Sequence, residues 1–412
     1  MLDIKFIREN KELVEKNSLT RNVKIDLSAI IRLDEEKNLL LKQAEALRAK
    51  RNDKSKTKPT DAEIIEMKKV GQEIAALDDL LKKKSDELQS LLTKIPNIND
   101  PSVPVGKDDS ENKVSSHSGK KPEFDFTPKE HFAVESVLSG IDMERGAKVS
   151  GSRFYYLKGK VAQLERAIMQ YAVDFMVGKG FELVLPPVLV REEAMYGTGF
   201  FPADKNEVYA VNPTEDNLYL VGTSEVSLIY MHADETFNES DLPKKYIAIT
   251  PCFRRESGSY GKDTKGLFRV HQFYKVEMVV FCAPDDSAKI HDELLAHEEE
   301  FISSLGIHYQ VVNVCSGDLG FPAAKKFDCE GWFPGQNKYR ELTSTSNTTD
   351  YQARRCNIKI KNKEGKRVFA HTLNGTVASD RPMLAIIENN QQKDGTVLIP
   401  KVLQKYLSFN KI

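Results

Sequence analysis

The sequence predicts an α+β fold: an antiparallel β-sheet core flanked by helices, preceded by a long antiparallel α-helical coiled-coil arm. Three observations predict it. Residues 27–95 carry apolar side chains at heptad spacing and hold one proline, Pro59, and one glycine, Gly71, which is long-helix composition. Residues 267–277 alternate with period two, setting Leu267, Arg269, His271, Phe273, Lys275 and Glu277 against Phe268, Val270, Tyr274 and Val276, and period two means a strand. From about residue 124 amphipathic helical stretches mix with strands, as in an α+β domain.

In the arm, Ile30, Leu33, Leu40, Ala44 and Leu47 share one stripe, and Met67, Val70, Ile74, Leu77, Leu81, Leu88 and Leu91 share another. Lys37 and Lys84 fall on the same seam and would weaken it locally while fixing its register. Pro59 separates the halves, and Thr60 or Asp61 suits the second helix as an N-cap. Helices of roughly 28 to 35 residues give a rod of about 45 to 50 Å. Near its tip Arg48, Lys50, Arg51, Lys54, Lys56 and Lys58 stand against a single Asp53, a cluster that suits either phosphate contact or a solvated helix end. After Leu92 the stretch PNINDPSVPVGKDDSENKVSSHSGKKPEF reads as a linker, so the expected domains are 1–110 and 111–412.

Composition narrows the function. The chain of 412 residues has a formal net charge of -1, so nucleic-acid contact must come from a local basic patch. Five cysteines without a CxxC pair or His at zinc spacing argue against a local metal clip and fit a reducing cytoplasm. The start MLDIKFIREN is charged too early for a secretory signal, and no apolar run approaches the ~20 residues of a membrane helix. Walker, GxGxxG, GxSxG and HExxH patterns are absent, which removes the common ATPase, dinucleotide, serine-hydrolase and zinc-protease classes.

The second part supplies the candidate site. KVAQLERAIMQYAVDFMVGKGF reads as a helix with Val161, Leu164, Ile168, Tyr171 and Phe175 on one stripe, and FELVLPP as a strand buried or at an interface. YIAITPCFRR, 246–255, is β-prone and pairs in expectation with 267–277 across a loop holding Gly258, Gly261 and Gly266, setting Arg254 beside Arg269 and Glu277. LYLVGTSEVSLIY places Thr223, Ser224 and Glu225 inside an apolar strand-to-helix passage, where Glu225 needs a ligand ammonium or a neighbouring arginine. In KYRELTSTSN, Glu341, Thr343 and Ser344 offer oxygens to a hard cation such as Mg²⁺. NGTVASDRP runs from a strand to Arg381 at a helix start, an arrangement suited to phosphate or to an ordinary cap. His371 reads as a packed strand histidine, Asp285 and Asp286 as a turn, and Trp332 as core.

Together the arm, the PNINDPSVPVG linker, GFELVLPP, GTSE, FRRE with GLFRVHQFYKVE, YRELTSTSN and NGT with Arg381 resemble the class II aminoacyl-tRNA synthetases, and among them the seryl-tRNA synthetase family of bacterial type, over essentially the full chain. The resemblance implies that ATP and L-serine react to give seryl-adenylate, and that the seryl group passes to the 3′-terminal adenosine of tRNA(Ser), with tRNA(Sec) as a second acceptor. It assigns Arg254 to the α-phosphate and the serine carboxylate, Arg255 and Glu256 to the nucleotide, Arg269 and Arg381 to the β- and γ-phosphates, and Phe273 to the adenine face. Glu341, Leu342, Thr343 and Ser344 border ATP, with Glu341 and Ser344 holding Mg²⁺. Thr223, Ser224 and Glu225 take the serine ammonium, and Glu277 and Thr376 its hydroxyl. Arg254 and Arg381 are thereby the catalytic pair. The resemblance further implies that the basic arm tip would read tRNA by shape and backbone, that Lys262 and Lys265 would approach the acceptor stem, and that the first motif would join a homodimer. The third motif departs from the common form by one residue fewer before Arg381 and a proline after it, which bears on where Arg381 lies. Two other classes share part of this pattern: a ligase that charges a carrier protein, against which the long arm speaks, and a non-catalytic tRNA-binding relative, against which Arg254, Glu256, Phe273 and Glu277 speak.

Overall fold

The computed structural model describes residues 1–54, 60–257 and 266–412, Lys54 by its backbone alone, and divides into two compact units, Met1–Pro96 and Asn97–Ile412. In the first unit, α1 (Ile4–Glu9) and α2 (Lys11–Thr20) precede the long helices α3 (Leu27–Lys54) and α4 (Asp61–Leu92). The heptad stripes are buried at Ile30, Leu33, Ala44, Val70, Ile74 and Leu88. Three cross-helix pairs, Glu36–Lys84 at 2.8 Å, Arg48–Asp78 at 2.6 Å and Lys50–Glu66 at 3.0 Å, match early residues of α3 to late residues of α4, so the helices run antiparallel. Both seam lysines meet carboxylates, since Lys37 pairs with Asp34 at 3.0 Å. Thr60 caps α4: its hydroxyl accepts from the Glu63 amide, and the Glu63 carboxylate accepts from the Thr60 amide at 2.8 Å, satisfying two donors that the helix start leaves open.

The second unit begins earlier than residue 110. Asn97 donates its side-chain amide to the carbonyls of Pro322 and Thr348, both at 2.8 Å, so the Pro- and Ser-rich stretch is stitched into this unit and is not a free linker. Its helices are α5 (Met143–Ser150), α6 (Gly159–Gly178), α7 (Glu192–Thr198), α8 (Glu225–Tyr230), α9 (Ser287–Ser304), α10 (Tyr351–Cys356) and α11 (Asp380–Asn389). Eight strands form the main sheet: β1 (Lys113–Ser118), β2 (Glu182–Val184), β3 (Lys244–Phe253), β4 (Gln272–Cys282), β5 (Tyr309–Asn313), β6 (Lys325–Phe333), β7 (Lys338–Asn347) and β8 (His371–Ser379). Their order is β1-β5-β6-β7-β8-β4-β3-β2, antiparallel except for the parallel edge pair β3–β2.

Alternation along β4 divides the core. Val276, Met278 and Val280 pack with α6, α9 and α11, whereas Val279 and Phe281 pack with α8 and α10 on the other face. The α6 stripe is buried at Val161, Leu164 and Ile168, and the chain leaves that helix through Gly180, whose φ of +86° is the left-handed conformation a helix exit favours. FELVLPP proves only partly covered within one chain, with Leu183 43% and Leu185 76% exposed. Trp332 is half-buried, not core, and the Lys121 ammonium lies 3.5 Å from its ring centroid. His371 packs on its strand against Ser287 at 2.9 Å.

The strand expected over 267–277 starts only at Gln272. Residues 267–270 break the alternation because Leu267, Phe268 and Val270 are all buried. The Leu267 amide donates to Nε2 of buried His131 at 3.3 Å, so His131 carries its proton on Nδ1 and donates it to Glu388 Oε1 at 2.9 Å. Glu388 also accepts from the amides of His131 and Gly335, each at 3.1 Å, and from the Gln336 side chain at 3.1 Å. Gly266 is required beside this ring: its φ is +75°, and a Cβ there would stand 2.3 Å from His131 Nε2.

Candidate active site

Strands β4, β7 and β8, the start of α8 and the first turn of α11 surround one cavity of about 330 Å³. At one end lies Glu225, the first residue of α8 and 8% exposed. Its carboxylate accepts from Gln352 Nε2 at 2.7 Å and Asn374 Nδ2 at 3.0 Å, and its amide donates to Thr223 Oγ1 at 3.2 Å. Neither partner is the arginine the sequence allowed for; two neutral amides hold the carboxylate, which leaves its charge open to a cation. Burial, reinforced by the nearby Glu277, pushes Glu225 up to about 7 against the pull of Gln352, Lys275 and Arg254. On the paired strands β4 and β8, Glu277 faces Thr376, whose hydroxyl donates to Glu277 Oε2 at 2.9 Å.

Cations gather at the other end. Arg254 follows β3, donates Nε to the Gly222 carbonyl at 3.3 Å, and sets its guanidinium 5.4 Å from the Phe273 ring centroid. Arg381 projects from the first turn of α11, where Ser379 caps the helix, and meets both the carbonyl and the carboxylate of Glu341 at 3.0 Å. The shortened third motif therefore still delivers Arg381 to the cavity. Burial would raise Glu341, but Arg381, Lys326 and Arg254 outweigh it and hold the carboxyl down at about 2. Asp380 accepts from the Tyr274 amide at 3.0 Å and from the Tyr155 hydroxyl, tying the helix start to β4. Fixed guanidinium groups around a helix N-terminus suit a polyphosphate.

The cavity thus collects Arg254, Glu256, Phe273, Glu341, Leu342, Ser344 and Arg381 from the expected nucleotide set. It also collects Thr223, Glu225, Glu277 and Thr376 from the expected serine set. Four expected residues lie off it. Thr343 points to the opposite face of the sheet, donating its hydroxyl to buried Glu298 at 2.7 Å, because adjacent strand residues alternate. Arg255 lines a neighbouring open groove with Tyr209 and Tyr219. Arg269 stands behind Glu256, which it pairs at 2.9 Å. Ser224 is buried, and its hydroxyl has no bonding partner among the described residues. On the arm, Arg48 and Lys50 are paired to Asp78 and Glu66, and Arg51 is exposed. The Lys54 side chain, Lys56, Lys58, Lys262 and Lys265 lie outside the described residues.

Sequence reasoning gave no role to Lys275, Lys326, Asp328 or Gln352. Lys275 sat visibly in the alternating pattern, but Gln352 reaches Glu225 from a distant helix, and no local spacing announces it. Lys326 lines the cavity from β6 and pairs with Asp328 at 3.1 Å.

Residues 1–99 match the seryl-tRNA synthetase N-terminal domain, and residues 208–390 match the tRNA synthetase class II core domain (G, H, P, S and T). The chain is 42% identical to the serine–tRNA ligase of Thermodesulfovibrio yellowstonii, covering 100% of both, and 44% identical to that of Maridesulfovibrio salexigens, covering 99% of this chain and 98% of the relative. Among solved structures it matches seryl-tRNA synthetase from Pyrococcus horikoshii complexed with ATP, with a TM-score of 0.91, 40% identity and coverage of 100% and 99%. It also matches the cytoplasmic serine–tRNA ligase of Naegleria fowleri in complex with AMP, with a TM-score of 0.87, 34% identity and coverage of 100% and 98%. With both units and the whole length matched, the chain belongs to the seryl-tRNA synthetase family of class II aminoacyl-tRNA synthetases.

Proposed function

We propose that the cavity activates L-serine with ATP and that the adenylate is then used to charge tRNA(Ser). The observation that carries this reading is the convergence of Arg254, the Glu341–Arg381 pair, Glu225 and the Glu277–Thr376 pair on one cavity. Arg254 would hold the α-phosphate and the serine carboxylate, Arg381 the outer phosphates, joined by Arg269 only on turning away from its pair with Glu256, and Phe273 the adenine. Glu225 and Thr223 would take the ammonium, and Glu277 and Thr376 the hydroxyl. The carboxylate oxygen of serine attacks the α-phosphorus, the bond to the bridging oxygen breaks, and pyrophosphate leaves. No protein nucleophile is needed; positioning and fixed positive charge carry the step. A terminal ribose hydroxyl of tRNA then attacks the seryl carbonyl and releases AMP.

Glu341 and Ser344 face the cavity, and buried Asp328 stands opposite Ser344 on β6, a set of hard oxygen donors that fits Mg²⁺. When bound with ATP, the ion neutralises phosphate charge. The arm would read tRNA by shape and backbone, and reading of that kind extends to tRNA(Sec). A homodimer is supported by the exposure of Leu183 and Leu185 beside the sheet edge. The cytoplasm is the proposed site of action: all five cysteines are free, and no helix among the described residues is long and apolar enough to cross a membrane. Serine-dependent ATP–pyrophosphate exchange by the purified protein, abolished in Arg254→Ala, tests the reading; exchange unchanged in that variant would overturn the role of Arg254.

A further inference from the structure

The two carboxylate oxygens of Glu277 are not equivalent. Oε2 receives both the Thr376 hydroxyl at 2.9 Å and the Lys275 ammonium at 2.8 Å, while Oε1 bonds none of the described residues on a side chain that lines the cavity. Lys275 is 6% exposed and Glu277 2%, so this ion pair is part of the cavity floor and not a surface bridge. Such placement is costly unless each charge is matched, because removing one partner strands the other in a poorly solvated site. Glu225 lines the same cavity, and because Lys275 is paired with Glu277, Glu225 is left as the carboxylate open to a substrate ammonium.

We propose that Lys275 is a specificity-determining positioning residue: by sharing Oε2 with Thr376 it fixes the Glu277 carboxylate with Oε1 aimed at the substrate hydroxyl, and it reserves Glu225 for the substrate ammonium. The inference rests on the reading that Glu277 and Thr376 receive that hydroxyl. Without Lys275 only Thr376 holds the Glu277 carboxylate, and its broad terminal torsion lets the plane of the group turn away from the substrate hydroxyl. The uncompensated carboxylate then competes with Glu225 for the ammonium. An amino acid lacking a hydroxyl loses its disadvantage in such a pocket, since the rejection of alanine depends on an acceptor left unpaired.

The experiment is exchange kinetics with serine, alanine and ATP varied separately in Lys275→Met, Lys275→Gln and Lys275→Arg. In Lys275→Met the KM for serine rises at least about tenfold and the serine-to-alanine ratio of kcat/KM shrinks by at least about tenfold, while the KM for ATP stays within about twofold. Lys275→Arg, which keeps charge and donors, retains most of the ratio. Lys275→Gln, which keeps a donor without the charge, loses it and reads the same quantity should the methionine variant not fold. A ratio unchanged in the Met and Gln variants, or a matching rise in the KM values for serine and ATP, overturns the proposal. Glu277→Gln separates the two levels: if it leaves the ratio intact, the hydroxyl-pocket reading itself falls; if it collapses the ratio while Lys275→Met does not, only the role of Lys275 falls.

Discussion

Raising the pH through neutrality charges Glu225 inside the protein, with opposite consequences for stability and for substrate binding. Its carboxyl is moved from the usual 4.5 to about 7, a difference worth on the order of 3 kcal/mol. The folded value lies above the unfolded one, so the protonated chain is the favoured folded form. That contribution is complete below about pH 4.5 and is lost as pH rises through about 7. Serine binding runs the other way, because only the ionised carboxylate attracts the ammonium. The KM for serine should fall by up to about tenfold per pH unit on approaching 7 and level off above it, with the KM for ATP little changed. Exchange assays between about pH 5.5 and 8.5, with denaturation midpoints over the same range, give both curves. Glu225→Gln should remove the inflection from each and raise the KM for serine. A flat serine KM in the parent protein, or an inflection that survives in Glu225→Gln, would refute the reasoning.

Three other perturbations separate the parts of the molecule. Deleting residues 35–88 should spare exchange and abolish charging of tRNA(Ser), measured with the same preparation, since the second unit has its own core. Thr343→Val should cost about 1 to 2 kcal/mol by stranding buried Glu298, yet leave the KM for ATP within about twofold, because that hydroxyl faces away from the cavity; denaturation and exchange read the two effects. If the proposed homodimer uses this sheet edge, the parent should run as a dimer in light scattering and Leu185→Asp as a monomer; a monomeric parent or a variant that stays dimeric would remove that interface.

The arm was legible in the sequence because a heptad repeat is local: side chains a few positions apart decide which face is buried. The same locality explains why β3, β8 and the cap at Thr60 could be placed. What escaped was decided by distant partners. The break at 267–270 depends on His131, and the pairing of Glu225 depends on Gln352 and Asn374, none of which is a sequence neighbour. Thr343 and Ser344 look equally eligible as oxygen donors in a string of letters, and only the pleat separates them. Asn97 turns a linker-like composition into a stitched segment through carbonyls more than two hundred residues away.

Four N–H donors from two separate segments converge on the Glu388 side chain at the end of α11, and the His131 they include grips the amide of Leu267. Elements fastened through one enclosed carboxylate open together or not at all. Amide hydrogen exchange at Leu267 should therefore follow the slow, cooperative opening of α11 and not the fast fraying of a surface turn. The segment that returns the chain toward Arg269 is thus built to the endurance of the deep core, and the nucleotide would meet a wall already set before it arrives.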